Sequence, residues 1–410
     1  MGLSRFGAAL DEGLHRRLVA ALAPRGWRPR VIGLTGYGSE RSLHVLGRVL
    51  LTRPPDDGAP GPAASGPAPG IPAGVPDDPL ALDELLAPDL PGSGPAPTDG
   101  PAGRATSASV GDTGMPPTAP GPRGWRSFFT ARVGNLPVRV RAGTRVVTTT
   151  SDKGGYIDVL VTDHGLAPGW NDVVIEARGA RPTTAKVLVV PDSARLGVVS
   201  DIDDTIVVTM LPRPLLAAWN TFVRHATARR AVPGMARLLR ALRDQHPDAP
   251  VFYLSTGAWD VVPTLRWFMR RHGFPEGPML MTDWAPTNTG WFRSGIEHKR
   301  TRLRDLMITF PQIRWVLVGD DGQHDPLVYD DVAREHPGKV AAIAIRELTP
   351  AEQVLSHGTP ERLGAPTAMR NATAEHGVPT VTGKDGYTLL RRLPRLLSSP
   401  TTPPNASLLG

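Results

Sequence analysis

From residue 196 onward, short apolar runs alternate with stretches of helical periodicity, and no other feature restricts the fold as much. "LGVVSDIDDT" has the pattern of a strand and is followed by helical text through "MARLLRALRDQH". "PVFYLST" is a second strand and "DVVPTLRWFMRRHG" a helix. "GPMLMTDW" and "RWVLVGD" are further strands separated by "HKRTRLRDLMITF", and "KVAAIAIRE" closes the series. Strands joined through helices pair in parallel, so residues 196–364 are predicted to form a doubly wound α/β sheet covered on both faces.

The preceding half has a different rhythm. "LPVRVRAGTRVVTTTSDKGGYIDVLV" and "NDVVIEARGARPTTAKVLVVP" alternate apolar and polar residues, are rich in Val and Thr, and carry turn signals at regular spacing. That pattern predicts a small antiparallel β-sandwich over 29–195, completed by the two β-type runs of "RVIGLTGYGSERSLHVLGRVL". Between these parts, residues 51–120 hold 28 Pro and Gly among 70, with no aromatic residue and no His. Such a stretch cannot bury enough apolar surface to offset its ordering entropy, so 53–122 is expected to be a disordered loop insertion, which is thermodynamically cheap. Within it, Leu80, Leu82, Leu85, Leu86 and Leu90 suit either a short acidic partner-binding helix or a transient turn. Leu3, Phe6, Leu10, Leu14, Leu18 and Leu22 recur at helical spacing, which predicts an amphipathic helix over 1–28. Its apolar face would dock on the protein's own core or rest on an anionic membrane. Residues 365–410 are expected to be a mostly disordered tail, with one helix possible at "YTLLRRLPRLL".

Composition excludes some chemistries. The chain has 410 residues and no cysteine, which rules out disulfides, thiolate nucleophiles and Cys-based zinc sites, and fits a reducing compartment. No apolar run is long enough to span a bilayer, and the N-terminus lacks the apolar core of a signal peptide. The expected location is cytoplasmic, with peripheral contact at the inner membrane face allowed. Residues 51–120 carry a net of −7, so the rest carries +14 of a formal total of +7. A basic folded portion favours anionic partners such as a phosphorylated substrate or anionic lipid, although a soluble basic protein needs no such partner. Only five of the 46 basic residues are Lys, the skew expected of a GC-rich bacterial genome, and each retained Lys is therefore worth noting.

In an open α/β sheet, ligands sit beyond the carboxyl ends of the strands. There this sequence places Asp201, Asp203 and Thr205, then Ser255 and Thr256, then Lys299 at a helix start, then Asp320, Asp321 and Asp325 in "GDDGQHD". Asp201 and Asp203 are two apart and would face one side of a regular strand. Two carboxylates held together need a cation, or one must keep a proton. Asp320 from another strand adds a further oxygen donor, and an all-oxygen set suits Mg²⁺ better than zinc or iron. Ser255 and Lys299 would then partner the remaining oxygens of a phosphate, Lys299 as a compact point charge. A lone DxD, strand-end Ser or helix-start Lys is weak by itself; their conjunction in one chain order carries the argument.

"DIDDT", "YLSTGAW", "HK" and "GDDGQHD" resemble the four motifs of the haloacid dehalogenase superfamily of phosphohydrolases. "VVSDIDDTIVVT", "HKRTRLRDLM" and "LVGDDGQHDPLVYDDVA" resemble more closely the actin-patch-type phosphatidate phosphatase catalytic domain family, as do "GYGSERSLHVLGRVL" and "TTTSDKGGYIDV" upstream. The resemblance implies that Asp201 is the nucleophile that forms an aspartyl-phosphate and Asp203 the general acid and base. It implies Mg²⁺ held by Asp201, the Asp203 main-chain carbonyl and Asp320, with Asp325 or Asp321 supporting the metal, and a phosphoryl group held by Ser255 and Lys299. "GDD" stands where the family more usually has "GDS", which leaves Asp321 without a role, and Asp204 is expected to act as a turn-stabilising acceptor.

Neither 206–250 nor 257–298 is long enough for a full cap domain, so the site is expected to be open to a bulky substrate. Met210, Leu211, Leu215, Leu216, Trp219 and Phe222 beside Arg213, Arg224 and Arg229 suit either packing on the sheet or contact with an anionic membrane. The favoured function is a Mg²⁺-dependent phosphatase acting on phosphatidate or a related phospholipid. The alternatives are a phosphatase for soluble or protein-bound monoesters and a non-catalytic protein that binds through its β-sandwich; no nucleic-acid partner is expected.

Overall fold

A computed structural model of the chain describes residues 24, 26–52, 131–208, 230–282, 291–322, 324–357 and 377–397. The Pro/Gly-rich insertion, the stretch from Met210 to Arg229 and nearly all of the expected N-terminal helix lie outside the described residues.

Among the described residues nine strands form a mainly antiparallel sheet: β1 (Arg28–Gly33), β2 (Gly36–Ser39), β3 (Ser42–Thr52), β4 (Ala131–Arg132), β5 (Pro137–Ala142), β6 (Arg145–Thr150), β7 (Tyr156–Thr162), β8 (Gly169–Ala177) and β9 (Thr183–Val190). The alternation in the sequence is the alternation of burial: β5 buries Val138, Val140 and Ala142 and exposes Arg139 and Arg141. β3 is the hub, with β1 and β2 along one edge and β4 and β7 along the other. β2 then pairs in parallel with β9, which continues antiparallel through β8 and β5 to β6. Val45 and Val49 of β3, Ile157 and Val161 of β7, and Val140, Ile175 and Val187 of the opposite strands share one apolar core, so the connected sheet folds over on itself.

The second sheet is wholly parallel. Its strands are β10 (Leu196–Asp201), β11 (Val251–Ala258), β12 (Met279–Thr282), β13 (Arg314–Asp320), β14 (Val340–Arg346) and β15 (Thr380–Gly383), in the order β12-β11-β10-β13-β14-β15. The α-helices among the described residues are α1 (Met235–Gln245), α2 (Val262–Arg271), α3 (Trp291–Thr309), α4 (Asp325–Glu335), α5 (Pro350–His357) and α6 (Gly386–Leu397). β14 is buried at all seven positions, as expected of a strand covered on both faces. On one face Val198 and Tyr253 pack with Leu238 and Leu239 of α1, Phe268 of α2 and Leu389 and Leu393 of α6. On the other, Val199 and Phe252 pack with Leu306 of α3 and Val332 of α4. The first sheet enters this second core through Leu34, Tyr37, Leu46 and Val190; the Tyr37 ring meets Phe252 edge-on at 5.2 Å.

Within the stretch expected to be a mostly disordered tail from 365 onward the structure describes β15 and α6, of which α6 falls on the helix allowed at "YTLLRRLPRLL" and β15 is a strand not expected there. Thr380–Gly383 pairs in parallel with Ile343–Arg346, and the Glu347 N–H donates to Gly383 O at 2.9 Å. A strand as short as "TVTG" has too few positions to display a period, which hides it in the sequence. Leu389 and Leu393 are fully buried. Gly386 lies so close to the chain that a Cβ there would come within 2.2 Å of the Gly234 carbonyl carbon.

Candidate active site

From β10 the chain moves outward through β11 and β12, then returns to the other side of β10 with β13. Connections therefore leave the carboxyl ends of β10 and β13 in opposite directions, which opens a crevice at that point of the sheet. β10 ends on Asp201 and β13 on Asp320.

Asp201, Asp320 and Asp325 converge there. Each offers one carboxylate oxygen, these oxygens lie within 4.8 Å of one another, and all three residues are buried. Gly319 makes room for the third: a Cβ at Gly319 would lie 2.6 Å from Asp325 Oδ2. Lys299, itself buried on α3, donates from Nζ to Asp201 Oδ1 at 2.6 Å and also to Asp325 Oδ1. Asp320 is fixed by the Gly322 N–H, which donates to Oδ1 at 2.8 Å, and by the Thr205 hydroxyl, which donates to Oδ2 at 3.3 Å. Asp201 Oδ2 and Asp325 Oδ2 are buried and have no hydrogen-bond donor among the described residues.

The electrostatics follow from this crowding. Burial raises the Asp201 carboxyl well above the usual carboxylate range, Asp325 raises it further, and Lys299 works in the opposite direction. Burial also raises Asp320, with Asp325 and Asp201 adding to it. Burial disfavours the Lys299 ammonium, but Asp201 and Asp325 outweigh it and hold the group charged, above its ordinary value. Were all three carboxylates ionised beside the one ammonium, two negative charges would be left unbalanced, the charge a divalent cation brings. The two buried oxygens without donors fit the same reading, so this trio could hold a metal ion.

Asp203 stands apart from the trio. Regular strand geometry stops at Asp201, so the expected alternation does not carry through to Asp203. The chain turns at Asp204, whose φ is 54°, and the Asp204 N–H donates to Val207 O at 2.8 Å. Asp203 is left half-buried on the β11 side, where the Ser255 hydroxyl donates to its Oδ2 at 3.1 Å. The Gly257 N–H in turn donates to Ser255 Oγ at 2.9 Å. Thr256 takes another part: its carbonyl accepts from the Thr282 hydroxyl at 2.7 Å, tying β11 to β12.

Asp321, unassigned in the sequence, is a fastener. Its Oδ1 accepts from the Leu348 N–H at 2.8 Å and from Gln353 Nε2 at 2.7 Å, which binds the start of α5 to the end of β13. Arg346 is a site-supporting residue that the sequence pattern does not reveal. It is buried at the end of β14, donating from Nη1 to the Asp204 carbonyl at 2.6 Å and from Nη2 to Glu352 at 2.7 Å. The available signal was a charged pair, "RE", directly after a long apolar run.

Residues 196–347 match the family model described as "Phosphatidate phosphatase APP1, catalytic domain". This part of the chain is therefore similar to a catalytic domain of phosphoric monoester hydrolases. Among individual proteins, the phosphatidate phosphatase APP1 of Saccharomyces cerevisiae is 25% identical over 152 residues, which is 37% of this chain and 26% of that protein. An uncharacterised protein of Schizosaccharomyces pombe is 26% identical over 169 residues, 38% of this chain and again 26% of the relative. The chain thus spans about a quarter of the length of these curated relatives. Among solved structures, a class C acid phosphatase from Bacillus anthracis with tungstate bound is 17% identical and covers 35% of this chain and 63% of its own. Its TM-score of 0.24 is too low to bear on the fold.

Proposed function

We propose that residues 196–364 hydrolyse a phosphate monoester with Mg²⁺ through an aspartyl-phosphate on Asp201, on a haloacid dehalogenase-like sheet with little or no cap. The substrate proposed is phosphatidate or a related phospholipid. The observation that carries the reading is the burial of Asp201, Asp320, Asp325 and Lys299 together at the carboxyl ends of β10 and β13. The lipid assignment rests on the family match of residues 196–347.

Of the three acids of "DIDD", Asp201 and Asp203 have environments suited to different tasks. Asp201 is aligned by the Lys299 ammonium, which donates to its Oδ1, and as a carboxylate it can present a lone pair to phosphorus. Attack forms the Asp201 O–P bond and breaks the bond from phosphorus to the ester oxygen. Asp203 lies outside the buried trio, with its Oδ2 accepting from the Ser255 hydroxyl, and in this reading it gives the proton to the leaving alkoxide. The same carboxylate then takes a proton from the water that attacks the acyl-phosphate, restoring Asp201 and releasing phosphate. Lys299 holds Asp201 in place and would neutralise the phosphoryl oxygens, and Ser255, which donates to Asp203, would help to hold the phosphoryl group. Mg²⁺, with Asp201, Asp320, Asp325 and the Asp203 main-chain carbonyl as its protein ligands, would neutralise charge on the phosphoryl group.

No helix among the described residues is long and apolar enough to cross a membrane, so a lipid substrate would be met at a membrane surface. The test is phosphate release from phosphatidate vesicles and from water-soluble monoesters, with Mg²⁺ or EDTA, by the wild type and Asp201→Asn. Turnover that is EDTA-sensitive, dependent on Asp201 and faster on vesicles is expected. Activity indifferent to Asp201 would sink the mechanism, and a preference for soluble esters would sink the lipid assignment.

A further inference from the structure

We infer that Arg346 is a positioning residue: it fixes the turn after β10 and so sets where the Asp203 carboxyl stands relative to the leaving group. The inference rests on the phosphatase reading above and adds to it a residue that touches neither substrate nor metal.

The turn needs outside support. Asp204 sits in the left-handed region at φ 54°, a conformation that residues other than glycine adopt only where their surroundings hold them there. Its N–H is satisfied locally by Val207 O, but its carbonyl points away from the turn, toward β14. Two strands from β10, the Arg346 guanidinium reaches past the end of β13 and donates to that carbonyl at 2.6 Å. Only a long, multi-donor side chain can make this contact and hold a second partner.

The far end of the guanidinium is equally fixed. Nη2 donates to Glu352 Oε1, while Glu352 Oε2 accepts from the Thr349 N–H at 2.8 Å and the Thr349 hydroxyl at 3.0 Å at the start of α5. Asp321 pins the same segment through Leu348 and Gln353. The backbone adjoining Asp203 is thus tied to a rigid corner built from the ends of β13 and β14 and the start of α5. Asp203 is only partly buried and its Oδ2 accepts from the Ser255 hydroxyl, whereas Asp201 is buried and clamped by the Lys299 ammonium. If the turn relaxes, Asp203 moves and Asp201 does not.

That asymmetry gives a test. A proton from Asp203 matters for a poor leaving group such as an alkoxide and hardly at all for p-nitrophenolate. Full-length wild type, Arg346→Lys and Asp201→Asn would be compared on glycerol 3-phosphate and p-nitrophenyl phosphate, with kcat and KM measured separately. Arg346→Lys is expected to lose about tenfold or more in kcat/KM on the alkyl ester and less than about twofold on the aryl ester, because kcat/KM reports departure of the leaving group and not the later hydrolysis of the common intermediate. Should Arg346→Lys fail to fold cooperatively, Glu352→Gln keeps the guanidinium but removes one anchor, and the same ester-dependent loss is expected at smaller size. Equal losses on both esters, or no loss on either, would overturn the positioning role in whichever variant folds. Wild-type turnover unaffected by Asp201→Asn would instead overturn the phosphatase reading, and this inference with it.

Discussion

Replacing Asp320 by Asn is expected to stabilise the protein when no metal is bound, although it removes a proposed ligand. Asn has the shape of Asp, its oxygen can accept from the Gly322 N–H, and its amide can donate to the Thr205 hydroxyl, so both hydrogen bonds survive. What disappears is charge. With the trio's oxygens within 4.8 Å of one another, two ionised carboxylates repel by roughly 3.5 kcal/mol at an effective dielectric constant of about 20. Asp320 has two such neighbours and is attracted by Lys299, which leaves about 3 kcal/mol of net repulsion. Partial protonation relieves some of this, so a gain of about 1–2 kcal/mol is expected for the variant at neutral pH. The pH dependence has a definite sign. Burial, Asp325 and Asp201 raise Asp320, so the folded chain keeps a proton that the unfolded chain has lost. Metal-free stability should therefore fall as pH rises above the ordinary carboxyl pKa of about 4, and the advantage of Asn should grow in the same direction. Urea unfolding in EDTA at several pH values measures this. Mg²⁺ at a hundredfold excess over its Kd should then add about 2.7 kcal/mol to the wild type and less to the variant. A variant less stable than wild type in EDTA, or one that gains as much from Mg²⁺, would refute the argument.

Other outcomes follow from single contacts. Burial, then Arg302, pushes His298 down to about 4, so the unfolded chain binds a proton there that the folded chain refuses. Stability should decline by up to about 3 kcal/mol as pH falls from about 6.5 to about 4, and His298→Gln should flatten that limb of an unfolding profile. Leu393→Ala should lower stability by about 2–5 kcal/mol in a denaturant titration, because the side chain is fully buried against α1. Gly319→Ala should cost about 1–3 kcal/mol and depress activity, since its methyl would displace the Asp325 carboxyl.

Much of this architecture is written locally. The apolar runs that become β10 and β13 each end on an Asp, and in a parallel sheet covered on both faces such ends are where polar groups can gather. Period-two alternation likewise announces strands such as β5 and β7. The sequence does not show how far the turn at Asp204 bends Asp203 from the strand line, because a positive φ at a non-glycine residue is imposed by surroundings. Nor does it show Arg346 meeting Asp204, or Asp321 meeting Gln353, since those contacts depend on which strands become neighbours. β15 is hidden for a third reason: its four residues gain their place from an open flank on β14, not from any pattern of their own.

That flank has a practical meaning. A fragment ending at residue 347, where the family match stops, would remove β15 and α6 together. Ile343–Arg346 would then display a row of unpaired N–H and C=O groups on a strand with apolar side chains on both faces. A bare edge of that kind is a template for adding strands from other molecules. Such a fragment is expected to self-associate and precipitate, whereas one extended through Leu397 carries its own edge protection and should remain monodisperse by light scattering.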